Sequence, residues 1–214
     1  GRRGTPAPDA WRASVGGRSI AVVGPAASRQ LDGAHDLRAG VANLARLRHG
    51  DEALRSEEIL YVNDETWTTH PRTEILDAVG EYEWLVLKST TAEPPERSRV
   101  LTWGAGLLFS AGTPNLVPLM CFDLLAGGAG RLFLTGMDFY ASKEPYAVDR
   151  AGSRPPFRDT ARIASHNPIE NRALIAALLD SPRITGDPVV EEVARLDDLA
   201  YLRRLDEHHG IPRR

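Results

Sequence analysis

Four short apolar runs recur along the chain, separated by stretches with a different rhythm. "SIAVVG" (19–24), "EILYVN" (58–63), "WLVLKS" (84–89) and "RLFLTG" (131–136) are dense in valine, isoleucine and leucine and are bounded by turn-forming residues. Their apolar positions do not alternate with polar ones, so they predict strands covered on both faces. Between them, "HDLRAGVANLARLRHG" (35–50), "HPRTEILDAVGEYE" (70–83) and "TPNLVPLMCFDLLAGG" (113–128) carry apolar residues at three- and four-residue spacings and end near glycine. That spacing predicts helices, with Pro71 and Pro114 suited to first helical turns. A further helix is predicted to start at Pro168, with Ile169, Ala173, Leu174, Ala177 and Leu178 as its apolar face.

Strand, helix, strand in alternation predicts an α/β fold: a Rossmann-like, mostly parallel sheet with helices on both faces. In such sheets ligands sit outside the carboxyl ends of the strands, near the point where strand order reverses. The residues that follow each run are therefore the chemical candidates: 24–28, Asn63 with Asp64, 89–91, and the stretch from Gly136 onward. The first 18 residues, rich in glycine, proline and arginine, read as a flexible lead-in. Residues 19–186 are expected to form the Rossmann-like domain and 187–214 a C-terminal helix and tail. Val189, Val193, Leu196, Leu199, Leu202 and Leu205 lie on one stripe of a single helix that would dock back on the domain.

Composition narrows the class. A chain of 214 residues, 42% hydrophobic, is long enough to bury a core without staples. Its 26 basic and 29 acidic residues are interspersed, so no continuous basic stripe points to nucleic acid. One cysteine, Cys121, excludes a disulfide framework and a cysteine-based zinc site within the chain, and its apolar setting predicts an inert buried thiol. No apolar run reaches the roughly 18 residues of a membrane span, and no signal-peptide pattern opens the chain, so a cytoplasmic location is expected, with peripheral membrane association left open. The start at Gly1 suggests excision from a longer protein.

Small residues in "VVGPAAS", directly after the first run, would let backbone N–H groups approach a phosphate, although neither a Walker loop nor a G-x-G-x-x-G fingerprint is present. Asn63 can present a donor and an acceptor, or form a turn. Tyr140 and Tyr146 lie six residues apart in a loop with Lys143, Glu144 and Pro145. They are either apolar filler or neutral donors to a phosphate. His166, just ahead of a helix start, is placed to take a proton from an attacking hydroxyl, or is an ordinary helix-terminal histidine. His166 with Glu170 lacks a third partner for a metal.

The combination "AGGAGRLFLTGMDFYASKEPYAVD" followed by "ASHNPIENRALIAALL" resembles the bacterial sialyltransferases of glycosyltransferase family 42. It matches that family at Gly136, Asp138, Phe139, Tyr140, Tyr146, Ala147 and Asp149, with His166 at the expected distance. Gly24 and Ser28 match the family's first turn, and Asn63 the end of its second strand. The resemblance implies a GT-A-type domain that uses a cytidine monophosphate (CMP) sialic acid donor, a glycan acceptor and no obligatory metal. In that reading His166 is the general base, and Tyr140 and Tyr146 bind the departing phosphate. Gly24, Ser28, Asn63, Thr113, Asn115 and Asp138 bind the nucleotide sugar. Two departures stand out: Pro25 replaces the family's asparagine, and "FSAGTPN" lacks its arginine. The alternatives are a transferase for another cytidine-activated sugar, a pterin diphosphokinase-like enzyme, or a non-catalytic binding domain on the same fold.

Overall fold

The computed structural model describes residues 8–30, 33–43, 46–47, 50–63, 66–67, 71–87, 98–101, 114–142 and 167–210. Seven strands form one sheet: β1 Ser19–Val23, β2 Leu37–Ala42, β3 Ile59–Val62, β4 Trp84–Leu87, β5 Ser98–Val100, β6 Arg131–Thr135 and β7 Ile184–Gly186. Every pairing is parallel, in the order β5-β4-β3-β2-β1-β6-β7. The helices described over their length are α1 Pro8–Val15, α2 Arg72–Val79, α3 Leu116–Ala126, α4 Pro168–Leu179, α5 Pro188–Ala194 and α6 Asp198–His209, with a 3₁₀ turn at Glu52–Ser56. This is the expected Rossmann-like architecture.

Successive strand residues explain the two covered faces. Ile59 and Tyr61 of β3, with Trp84 and Val86 of β4, join the core formed with α1, α3 and α4. Their neighbours Leu60, Val62, Leu85 and Leu87 face the opposite core, where Trp67, Ile75 and Val79 pack. A third, smaller cluster gathers Ala141 with Val193, Tyr201 and Leu205 of the C-terminal helices.

Several expectations are corrected. The helix expected over residues 35–50 is corrected in its first half: Leu37–Ala42 is β2, buried between β1 and β3. A short apolar run is ambiguous between helix and strand, and Gly40 decides it here. A Cβ at Gly40 would lie 1.7 Å from Glu57 Oε2, so a glutamate carboxylate occupies the space a side chain would need. Residues 8–15, expected within a flexible lead-in, form α1, with Trp11 and Val15 buried. The Trp11 ring meets Trp84 edge-on at 5.4 Å, and the Arg99 guanidinium lies 4.4 Å from the Trp11 ring centre. Pro71 and Pro114 precede their helices, whereas Pro168 opens α4 as expected.

The C-terminal stripe divides into two helices at Arg195–Asp197. Asp197 starts a new cap, its carboxylate accepting from Ala200 N at 2.7 Å, and the register is reset. Tyr201, Leu205 and His209 are buried, while Leu199 and Leu202 face outward. The buried face of α4 is likewise rotated to Asn171, Arg172, Ile175, Leu178 and Leu179, with Ala173 and Ala177 exposed.

Candidate active site

The chain runs outward from β1 to β5, then returns to β6 on the other side of β1. Strand order therefore reverses between β1 and β6, where the two following loops must part. A cleft opens there, lined by the turns after these strands and by the first turns of α3 and α4.

Gly136, in the lining, packs against Gly24 at the end of β1. Gly24 N donates to Thr135 O and Ala26 N to Gly136 O, at 2.8 and 2.9 Å. A Cβ on Gly24 would lie 2.2 Å from Gly136 O, and one on Gly136 would lie 2.7 Å from Gly24 O. Gly136 also has φ +68°, a left-handed conformation that suits glycine. Pro25 and Ala26 then form one wall, and Met137, Asp138, Phe139 and Tyr140 the other. Phe139 and Tyr140 are themselves left-handed, at φ 51° and 66°, rare for aromatic residues.

Asp138 is 2% exposed. Its Oδ1 accepts from Tyr140 N at 2.9 Å, and its carbonyl accepts from Ala141 N at 2.8 Å. Oδ2 has no hydrogen-bond partner among the described residues. Burial raises the Asp138 carboxyl above the usual range, and hydrogen bonds from Ser142 and the Tyr140 amide only partly oppose this.

On the helical side, Asn115 is the N-cap residue of α3, and its backbone N–H donates to Asn171 Oδ1 at 2.7 Å. Asn171, in the first turn of α4, also donates from Nδ2 to Asn167 O at 2.8 Å. Asn167 caps α4 by accepting from Ile169 N and Glu170 N. Two helix amino termini therefore border the cleft, and their dipoles favour an anion.

The β1 turn is anchored by a buried charge network. Arg29 donates to both oxygens of Asp51, at 2.6 and 2.8 Å, and Arg46 Nε donates to Asp51 Oδ2 at 2.6 Å. Arg46 also donates to both oxygens of Glu57. Burial works against the Asp51 charge, but the two guanidiniums prevail and hold its carboxyl at about 2. Glu57 is dominated by burial, which pushes it up to about 7 despite Arg46. At the far end of the turn, Thr135 Oγ1 accepts from Gln30 N at 2.6 Å and donates to Asp187 Oδ2 at 2.7 Å.

Of the residues expected in the site, Asp138, Tyr140 and Asn115 line the cleft, whereas Gly24 does not line it but packs against Gly136, which does. Ser28 lies in the same turn but not in the cleft wall, and its hydroxyl is buried without a partner among the described residues. Asn63 also stands apart from the lining: its Oδ1 accepts from Thr66 N at 2.8 Å. His166, Tyr146 and Thr113 lie outside the described residues, as do Asp64 and residues 89–91. Asn171 was not anticipated, although an asparagine in the first turn of an otherwise apolar helix is its signal. Cys121 is fully buried, and burial raises its thiol to about 12, in keeping with an inert role. Among the described residues, no group of three or more His, Cys, Asp or Glu is placed to hold a metal ion, and no helix is long and apolar enough to cross a membrane.

The fold and the position of the cleft define a Rossmann-like α/β domain with a ligand crevice at its strand-order switch. A solved structure with the same fold is the sialyltransferase CstII from Campylobacter jejuni in complex with a substrate analogue, cytidine-5'-monophosphate. The two superpose with a TM-score of 0.53 at 12% sequence identity, covering 79% of this chain and 78% of CstII. The chain thus shares a glycosyltransferase fold. No protein-family model matches it, and no curated protein matches it.

Proposed function

We propose that the chain is a sialyltransferase-like glycosyltransferase of the family 42 type, moving sialic acid from CMP-sialic acid to a glycan hydroxyl. The observation that carries this reading is the cleft at the β1/β6 switch, whose wall is the Asp138–Phe139–Tyr140 turn. It occurs on a fold shared with a sialyltransferase described in complex with CMP. Two helix amino termini beside the cleft suit a phosphate.

In this reading the acceptor oxygen attacks the anomeric carbon as the bond to the CMP phosphate breaks, with inversion. The acceptor proton passes to His166, and Tyr140 and Tyr146 donate to the departing phosphate. Asn115 in the cleft wall and Thr113 just before it in the sequence are the nucleotide contacts this reading keeps, while Gly24, Ser28 and Asn63, which lie off the lining, would act only through the backbone they shape. A positioned base contributes roughly 10²- to 10⁴-fold.

Calorimetry with CMP, followed by chromatographic assay of CMP release from CMP-sialic acid with and without lactose, tests the proposal. His166→Ala should lower turnover by at least 10²-fold while leaving the melting temperature within about 2 °C. Undiminished transfer by that variant would refute the assignment. A preference for a nucleoside triphosphate would favour a diphosphokinase-like enzyme. A non-catalytic binding domain is the second reading, favoured by Pro25, which removes a backbone N–H from the cleft wall. Binding of CMP without turnover would select it.

A further inference from the structure

Three consecutive carbonyls on the cleft wall are held by one helix. Tyr201 Oη donates to Phe139 O, His209 Nε2 to Tyr140 O at 2.8 Å, and Arg204 Nε to Ala141 O at 3.1 Å. The donors stand three and five residues apart, on one face of α6. A carbonyl can only accept, so the His209 proton facing it is on Nε2.

We infer that α6 is part of the site, with Tyr201, Arg204 and His209 as positioning residues that fix the left-handed turn bearing Tyr140. Each non-glycine residue in that conformation costs about 1–2 kcal/mol, so two in succession persist only where the surroundings impose them. Asp138 holds the turn from within, and the rest of the imposition comes from outside it. Besides the three hydrogen bonds, the Tyr140 ring packs on the cluster of Ala141, Val193, Tyr201 and Leu205.

The helix is itself fixed to the opposite wall of the cleft. Arg172 of α4 lies 5.2 Å from the centre of the Tyr201 ring, pairs with Asp198, and donates to Ala194 O at 2.9 Å and to Leu196 O. Its neighbour Asn171 lines the cleft. The two walls are therefore coupled through the C-terminal helices.

The test uses His209→Ala, His209→Gln, Tyr201→Phe and Arg204→Ala in the full chain. The first readout is hydrogen exchange at the Tyr140 and Ala141 amides, both bonded to Asp138; the second is kcat and KM for CMP release from CMP-sialic acid. His209→Ala and Tyr201→Phe should speed exchange at those two amides about tenfold or more relative to β1 amides. They should also lower kcat on the order of tenfold with KM within about twofold, because a small misplacement of a transition-state contact is costly. His209→Gln, whose side-chain amide can donate to the same carbonyl, should recover most of both. Arg204→Ala, at a partly exposed position, keeps the exchange test available if a buried variant fails to fold. Unchanged exchange in folded variants would overturn the inference, as would a glutamine variant no better than alanine. The kinetic readout rests on the transferase reading and the exchange readout does not. A wild-type chain without turnover would therefore refute the transferase while the amides still decide the clamp.

Discussion

At the scale of single residues, the approach of the β1 and β6 turns is governed by what is missing. Gly24 and Gly136 approach so closely that either Cβ would overlap the other's carbonyl. Gly24→Ala should destabilise the fold by about 2 kcal/mol, in the range of overpacking, measured as a lower urea midpoint with an unchanged slope. Their place was legible in the sequence because both close apolar runs. Asp138 and Tyr140 were legible for the same reason, since the residues after a buried strand are where such sheets bind ligands. Asn171 and His209 were not. A polar residue becomes buried when a partner distant in sequence satisfies it, and Asn115 lies 56 residues from Asn171. Tyr140 lies 69 residues from His209.

At the scale of elements, α1 is the clearest test of packing over composition. Its sequence looks like a linker, yet Trp11 fills a site against Trp84 and Arg99, and Trp84 Nε1 donates to Ser14 Oγ at 2.9 Å. Trp11→Ala should cost about 3 kcal/mol, seen as a lower thermal midpoint. Asp197→Ala should cost about 1 kcal/mol by removing the cap of α6. Periodicity located β1, β3, β4 and β6 because their apolar runs are continuous. It misassigned β2, whose glycine accommodates Glu57, and passed over β5 and β7, at three residues each too short to show a period. The rotated face of α4 has a similar cause: Arg172 is buried because carbonyls and Asp198 engage it.

At the scale of the molecule, the network of Arg29, Arg46, Asp51 and Glu57 links pH to stability in two directions. Asp51 is held at about 2, below its ordinary 3.8, so its contribution of about 2 kcal/mol is present above that ordinary value and lost as pH falls toward 2. Glu57 is raised to about 7 from 4.5, so its contribution is present below 4.5 and lost as pH rises through 7. Urea unfolding across pH should show the acid-side loss flattened in Asp51→Asn, and the decline from 4.5 to 7 flattened in Glu57→Gln. The hold of α6 on the Tyr140 turn bears on how the molecule is made. Synthesis runs from the amino terminus, so the strands bordering the cleft leave the ribosome well before residues 201–209. A nascent chain stalled before Asp198 should form β1 to β6 yet leave the Tyr140 and Ala141 amides open to exchange, so that the cleft is completed only once residues 198–209 have emerged.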